Sequence, residues 1–331
     1  MANPLDDVPP TVDDIRKAAE TIKPFIYRTP IMTSTSLDEM HGFNFYFKCE
    51  NFQRTGSFKF RGCMNAVTNV CLNRDTPPIL VAFSSGNHAQ AVAKTAQLKG
   101  LKAHIVMPSY SPAVKINSVK DFGGSVYGCG TLMPEIMSKI EEVKKEQGEN
   151  AVMIHPYDNP YVMAGQGTVG LEILEQVPNV DAIVVAVSGG GLISGICIAV
   201  KSIKPSVKIY AAEPENVGDK YRSFLAKKRI PMESRPKTIA DGLTAPIGSL
   251  TWPVLQEHLT DVIPVTEEEI ISAMYLSWER LKIIVEPSAA AAFAASFKLK
   301  HLSSSIGVQN VCVVVCGGNV DLASIPPKPS T

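Results

Sequence analysis

The sequence predicts an α/β protein of two domains, each with a mostly parallel sheet flanked by helices, and three observations carry that prediction. From residue 79 onward, short apolar runs alternate with longer amphipathic stretches. Several of these runs close on a turn of glycines and small polar residues where a helix would begin. The glycine-rich turns fall in two sets, around residues 57–88 and 188–195, which suits a cleft between two sheets.

Taken in order, Ile79-Leu80-Val81-Ala82-Phe83 reads as a buried strand, and 87–98 as a helix ending near Gly100. Runs at 103–107, 125–129, 151–154, 182–187, 207–211 and 311–315 are further predicted strands, with helical segments between nearly all of them. Thr266-Glu267-Glu268-Glu269 reads as a capping box that opens a long helix through residue 283. The tail at 325–329, with prolines at 326, 327 and 329, is predicted to fray. The expected division is a large domain from 1–75 and 155–331, with a small mobile domain at 79–150. A length of 331 residues is enough for both.

Composition narrows the class of partner. Lysine plus arginine (32) equals aspartate plus glutamate (32), so no net charge favours nucleic acid or an anionic membrane. The longest apolar runs are short and broken by glycine, so no membrane span is expected. Residues 1–7 carry neither a basic region nor an apolar core, so no secretory signal is expected. Seven scattered cysteines with no Cys-x-x-Cys pair point to a reducing compartment, and the expected location is cytoplasmic.

Four segments are candidates for chemistry. In Thr55-Gly56-Ser57-Phe58-Lys59-Phe60-Arg61-Gly62, an apolar pocket around the lysine would disfavour its charged form and leave an amine able to attack an aldehyde. Alone, the pattern reads as well as a surface lysine whose stem packs on two phenylalanines. Ser84-Ser85-Gly86-Asn87-His88 follows an apolar strand at a helix start, where backbone amides bind anions. A plain serine helix cap is the alternative. Ser188-Gly189-Gly190-Gly191-Leu192 follows another strand, and its glycines let backbone approach a phosphate. It matches neither the dinucleotide fingerprint nor a P-loop. Cys316, before Gly317 and Gly318, closes the last strand, where a small polar side chain meets a ligand or simply completes the core.

Together these segments resemble the fold-type-II pyridoxal-phosphate enzymes, and within them the serine racemase and serine/threonine dehydratase family, most of all its animal-type racemases. The resemblance runs from Thr11 to Ala323. It rests on GSFKFRG, SSGNHAQA, AGQGT from Ala164, SGGGLISG, AAEP from Ala211, TIADGL from Thr238, WERLK from Trp278, EPSAA from Glu286 and CGGNVD, in that order. It implies that Lys59 holds pyridoxal 5'-phosphate as a Schiff base, with Phe58 on one face of the ring opposite Gly242. Asn87 would bond the phenolic oxygen, and Ser188, Gly189, Gly190, Gly191 and Leu192 would cup the phosphate. Cys316 would meet the pyridine nitrogen, where a neutral partner favours expulsion of a β-hydroxyl. Lys59 and Ser85 would be the acid/base pair on opposite faces of the α-carbon. Ser84, Ser85, Asn87, His88 and Asp241 would hold the substrate.

The same resemblance implies a divalent cation, Mg²⁺ or Ca²⁺, held by Glu213, the Val217 carbonyl and Asp219. The alternative there is an exposed turn with scattered carboxylates. It further implies a homodimer with ATP as an activator between subunits, near Thr55, Gln90, Lys282 and Asn319, with Phe122 where a tyrosine is usual. Three departures touch the substrate end. Pro134 stands in place of an arginine, Ala245 of a serine and Tyr157 of an asparagine.

The expected activity is interconversion of L- and D-serine, with β-elimination to pyruvate and ammonia. A dedicated L-serine/L-threonine dehydratase is the first alternative, racemisation of another amino acid such as aspartate a second. A catalytically silent cofactor-binding or regulatory protein is the alternative of another class.

Overall fold

The structure, a computed structural model, describes residues 8–232 and 234–329. The opening segment 1–7 lies outside the described residues, and with it the expectation about a leader.

Helix α1 (Val12–Ile22) begins at a capping box in which the Asp14 N–H donates to Thr11 Oγ1 and Asp14 accepts the Thr11 N–H at 2.9 Å. Strand β1 (Ile31–Met32), α2 (Thr35–His41), β2 (Asn44–Cys49) and α3 (Lys59–Leu72) follow. The middle of the chain alternates: β3 (Ile79–Phe83), α4 (Asn87–Lys99), β4 (Ala103–Pro108), α5 (Ala113–Asp121), β5 (Ser125–Cys129), α6 (Met133–Gln147) and β6 (Ala151–Met153). It continues with α7 (Pro160–Gln176), β7 (Ala182–Ala186), α8 (Gly191–Ile203), β8 (Lys208–Pro214) and α9 (Asp219–Ala226). The last third holds α10 (Thr251–His258), β9 (Asp261–Val265), α11 (Glu267–Leu276), α12 (Pro287–Lys298) and β10 (Asn310–Val315).

The strands form two sheets, as expected. A four-stranded parallel sheet has the order β5-β4-β3-β6. A six-stranded sheet has the order β1-β2-β10-β7-β8-β9, parallel except for β1 against β2. The predicted strands match β3 to β8 and β10, whereas β1, β2 and β9 went unpredicted. Strand β2 hides because Lys48 interrupts its apolar run, yet Lys48 is fully buried. Strand β9 contains Pro264, which removes a ladder donor and suits only the sheet edge that β9 occupies. The capping box at Thr266 forms, but α11 stops at Leu276. A π-helical turn (Ser277–Leu281) carries the helical path on to Lys282, whose φ of +60° ends it close to the predicted end. The tail is also tied down, since Lys328 pairs with Glu279 at 2.8 Å and Tyr275 donates to the Pro326 carbonyl.

Helix α12 is buried on every side from Pro287 to Ser296 and packs across β7, β8, β9 and β10. Its alanines make that possible, because an all-apolar helix of small side chains can sit close to a sheet. Helices α3, α7 and α8 approach each other through glycine. A Cβ on Gly195 would meet the Met163 carbonyl at 2.4 Å, and one on Gly165 would meet Gly62 Cα at 2.6 Å.

Beside these contacts lies a buried ionic network. Arg61, the third residue of α3, donates Nε to Glu50 Oε2 at 2.8 Å and Nη2 to Glu50 Oε1 at 2.8 Å. It also donates Nη1 to Glu172 Oε1 at 2.7 Å and Nη2 to Glu172 Oε2 at 2.9 Å. Lys48 donates to the Thr29 carbonyl at 2.8 Å and forms a second ion pair with Glu172. Burial alone would raise the Glu172 carboxyl, but Arg61 and Lys48 hold it below its ordinary range. Removing one partner of such a network strands the others without water. Arg61→Leu is therefore expected to lower stability by about 3–5 kcal/mol, measured as the shift in the urea unfolding midpoint at unchanged slope.

Candidate active site

A cavity of about 510 Å³ opens at the carboxyl ends of β3, β7 and β10, where parallel α/β sheets place ligands. Lys59 lies at its base. The turn before it is pinned to the end of β10: the Phe58 N–H donates to the Cys316 carbonyl at 3.0 Å and the Gly318 N–H to the Gly56 carbonyl at 2.9 Å. Thr55 and Gly56, at φ +62° and +70°, turn the chain so that α3 starts at Lys59 itself. The Lys59 Nζ donates to the Pro156 carbonyl at 2.7 Å and lies 5.1 Å from the centre of the Phe58 ring. Burial pulls its ammonium down to about 8, against the opposing influence of Cys316 and Glu286. The lysine is thus a usable amine near neutral pH.

The turn after β3 carries Ser84, Ser85, Gly86, Asn87 and His88 into the cavity. Ser84 Oγ accepts the Gly86 N–H at 3.0 Å, which shapes the turn. Asn87 donates Nδ2 to Glu286 Oε1 at 2.7 Å, and its Oδ1 accepts from Asn319 at 2.9 Å. The amide is held in one orientation by those two bonds. Glu286 is 2% exposed and its other oxygen has no partner. Burial first, then the Asp241 charge, push its carboxyl up to about 7. His88 donates Nε2 to the Ile154 carbonyl at 2.8 Å, and burial drops its pKa to about 3, so the ring is neutral.

The turn after β7 supplies an anion cradle. Gly190 takes φ +97°, and a Cβ on Gly189 would lie 2.4 Å from the Tyr157 ring, so neither tolerates a side chain. Helix α8 starts at Gly191, and the N–H groups of its first turn have no partner inside the helix. Ser188 Oγ accepts the Ala245 N–H at 3.2 Å, which leaves its own hydrogen to donate. Gly242 lines the wall, its N–H bonded to Ser288 Oγ at 3.0 Å, with no room for a Cβ there. Cys316 faces the same space as a neutral thiol, because burial pushes its pKa well above the ordinary value.

These groups fit pyridoxal phosphate. The glycine cradle at a helix start suits its phosphate, the amine of Lys59 its aldehyde, and the oriented amide of Asn87 its ring oxygen. Every predicted cofactor and substrate residue lines this one cavity: Phe58, Lys59, Ser84, Ser85, Asn87, His88, Ser188, Gly189, Gly190, Gly191, Leu192, Asp241, Gly242 and Cys316.

The other predicted groups fare differently. Glu213 and Asp219 do come together, but Lys220 stands between them with its Nζ 2.6 Å from Asp219 Oδ1 and 3.7 Å from Glu213 Oε1. Among the described residues no three His, Cys, Asp or Glu side chains gather to hold a metal. The Mg²⁺ or Ca²⁺ expected at Glu213, Val217 and Asp219 thus meets a lysine ammonium lying between its two carboxylates. Of the predicted nucleotide residues, Thr55 and Asn319 are bonded at 2.6 Å and Gln90 lies on α4, which packs on the Thr55 turn. Lys282 turns instead to the Glu279 carbonyl.

Four site residues escaped the sequence reading. Lys115 pairs with Asp241 at 2.6 Å across the cavity mouth, and its stem runs against Gly86. Arg235 lies 3.4 Å from the centre of the Tyr110 ring, both lining the cavity. Glu286 was visible only as part of its motif. None of the other three sits in a motif, so only their meeting in space marks them.

Comparison with known proteins agrees with this geometry. The family described as "Pyridoxal-phosphate dependent enzyme" matches residues 22–317. The serine racemase of Homo sapiens is 45% identical over 315 residues, covering 94% of this chain and 92% of that one. The structure of maize serine racemase superposes with a TM-score of 0.91 at 44% identity, covering 95% of each chain. A pyridoxal 5'-phosphate-dependent aspartate racemase superposes at 0.92 with 35% identity, covering 97% of this chain and 99% of that one. The chain is a fold-type-II pyridoxal-phosphate enzyme. It belongs to the serine racemase and serine/threonine dehydratase family.

The Lys59 amine sets an expected pH dependence. A lysine reacts as the free base, and this one loses its proton near 8 instead of near 10.5. Uptake of pyridoxal phosphate by the apoprotein, followed by absorbance, should therefore accelerate with rising pH and level off above about 8. Lys59→Ala should abolish stable uptake at every pH.

Proposed function

We propose that this protein interconverts L- and D-serine and, in a fraction of turnovers, eliminates the β-hydroxyl to give pyruvate and ammonia. The observation that carries the reading is the meeting of Lys59 and Ser85 in one cavity with a neutral Cys316. When bound, pyridoxal phosphate supplies the electron sink that makes the α-proton of an amino acid removable.

The residues divide the remaining work. Lys59 takes or returns the α-proton on one face, and the Ser85 hydroxyl does the same on the other. Ser84, Asn87 and the backbone at the start of α4 hold the substrate carboxylate, with neutral His88 and Asp241 completing that wall. Asn87 would hold the cofactor's phenolic oxygen, and Phe58 and Gly242 would flank its ring. Cys316, a thiol that gives up no charge, would meet the ring nitrogen, and a neutral partner there would favour departure of a β-hydroxyl.

The proposal extends to the organisation of the molecule. The small sheet β5-β4-β3-β6 supports a mobile unit at 79–150 closing on the unit formed by 1–75 and 155–331. The bonded chain Thr55–Asn319–Asn87 supports an ATP pocket at Thr55, Gln90, Lys282 and Asn319 that reports to the active site of a homodimer. Seven free cysteines support a reducing, cytoplasmic setting. No helix among the described residues is long and apolar enough to cross a membrane.

One observation favours a second reading, racemisation of an amino acid with a carboxylate side chain. Arg235, stacked on Tyr110, puts a cation on the cavity wall, while Pro134 lines it without charge. The structural likeness to an aspartate racemase supports the same reading.

Incubation with L-serine, following D-serine by chiral chromatography and pyruvate in the same samples, tests the first reading. Ser85→Ala should cut D-serine formation by roughly 100-fold or more while pyruvate persists. Pyruvate alone from the unaltered enzyme would mark a dedicated dehydratase. For the second reading, Arg235→Ala should raise the KM for L-aspartate and leave that for L-serine unchanged. No turnover of L-aspartate by the unaltered enzyme would end it.

A further inference from the structure

The turn that joins β8 to α9 contains a cation of its own. Lys220 is 2% exposed, with its ammonium between two buried carboxylates. Its Nζ donates to Asp219 Oδ1 at 2.6 Å and lies 3.7 Å from Glu213 Oε1. Glu213 is already committed to backbone: Oε1 accepts the Lys220 N–H at 3.0 Å and Oε2 the Tyr221 N–H at 2.8 Å. The Gly218 carbonyl, next in the turn, accepts from both the backbone N–H and Nε of Arg222 at 3.1 Å.

A calcium ion takes six to eight oxygen ligands, and magnesium needs a near-octahedral six. Of the two buried carboxylates of this turn, Glu213 is committed to backbone through both oxygens and Asp219 gives Oδ1 to the ammonium, which leaves a single buried oxygen, Asp219 Oδ2, without a partner. A divalent ion would enter only after a fully buried lysine had been pushed into water.

We infer that the Lys220 ammonium is the permanent counter-ion of the Glu213–Asp219 turn, standing where the resemblance places a divalent metal, so that this enzyme needs no metal ion. The role is one of positioning. The Asp219 carbonyl accepts from Ser223 Oγ at 2.6 Å, and Ser223 Oγ in turn accepts the Ile230 N–H at 2.9 Å. That relay anchors the segment leading to Met232, Ser234 and Arg235, which line the active cavity. Where a metal would hold this segment reversibly, a covalently attached cation holds it always.

The test uses the pyridoxal-phosphate-loaded enzyme, dialysed against EDTA and then given Mg²⁺ or Ca²⁺ alone. Metal content by mass spectrometry should fall far below one per chain, and Tm and serine turnover should be the same with and without added metal. Lys220→Ser leaves two buried carboxylates facing each other, so its Tm in EDTA should fall by on the order of 5 °C. Lys220→Arg, which keeps a charge, should recover part of that loss. A metal ion retained by the unaltered enzyme after EDTA, or a Tm or turnover that Mg²⁺ or Ca²⁺ restores in it, would overturn the inference. So would a Lys220→Ser protein as stable in EDTA as the unaltered one. If Lys220→Ser does not fold, the unaltered enzyme's metal content and Tm still decide. Both are read without substrate, so failure here is separable from failure of the racemase reading.

Discussion

Arg61 joins three parts of the chain that would otherwise be independent: the start of α3, the turn at Glu50 beyond β2, and the middle of α7. Its two bidentate pairs satisfy four of its five donors, and Lys48 brings the network to two positive and two negative groups. Such a buried neutral cluster adds less net stability than its bond count suggests, because four ions have lost their water. What it confers is position. Lys59 lies two residues before Arg61 on the same first turn, so the angle at which the lysine enters the cavity is set by carboxylates outside it.

Within the cavity, charge is managed by pairing and by burial. Lys115 and Asp241 neutralise each other at the mouth. His88 and Cys316 are kept neutral by desolvation, and the same effect makes Lys59 give up its proton more readily. Glu286 is raised toward protonation and orients Asn87 through a single bond. The outcome is a site in which the glycine cradle at α8 is free to take an anion and Lys59 is free to take an aldehyde. The Lys220 turn applies the same principle outside the cavity, where one internal ammonium does for a pair of carboxylates what an exchangeable ion would otherwise do.

Much of this was readable along the chain. The strand–helix alternation after residue 79 announced two parallel sheets, and the turns at Ser84 to His88 and Ser188 to Leu192 marked where ligand would sit. Parallel strands buried on both faces must be nearly continuous apolar runs, and a backbone that closes on a ligand needs glycine, so both leave a local record. Lys59, Ser85, Asn87 and Cys316 could be named because their segments, taken together and in order, resemble one family of enzymes. Strands β2 and β9 left no clean record, since Lys48 and Pro264 contradict the local pattern and are tolerated only through partners elsewhere.

What the order of residues did not contain was pairing at a distance. Lys115 with Asp241, Arg235 with Tyr110, and Glu286 with Asn87 lie far apart in sequence, and Lys115, Arg235 and Tyr110 sit in no motif that singles them out. Lys220 is the sharpest case. Its neighbours Glu213 and Asp219 read as metal ligands, and only the fold reveals that the lysine beside them turns inward and fills the place. Local chemistry is written residue by residue, so the cofactor and its lysine were legible from the chain; the direction a side chain takes into a shared interior depends on everything packed around it, and that was settled only when the two sheets closed.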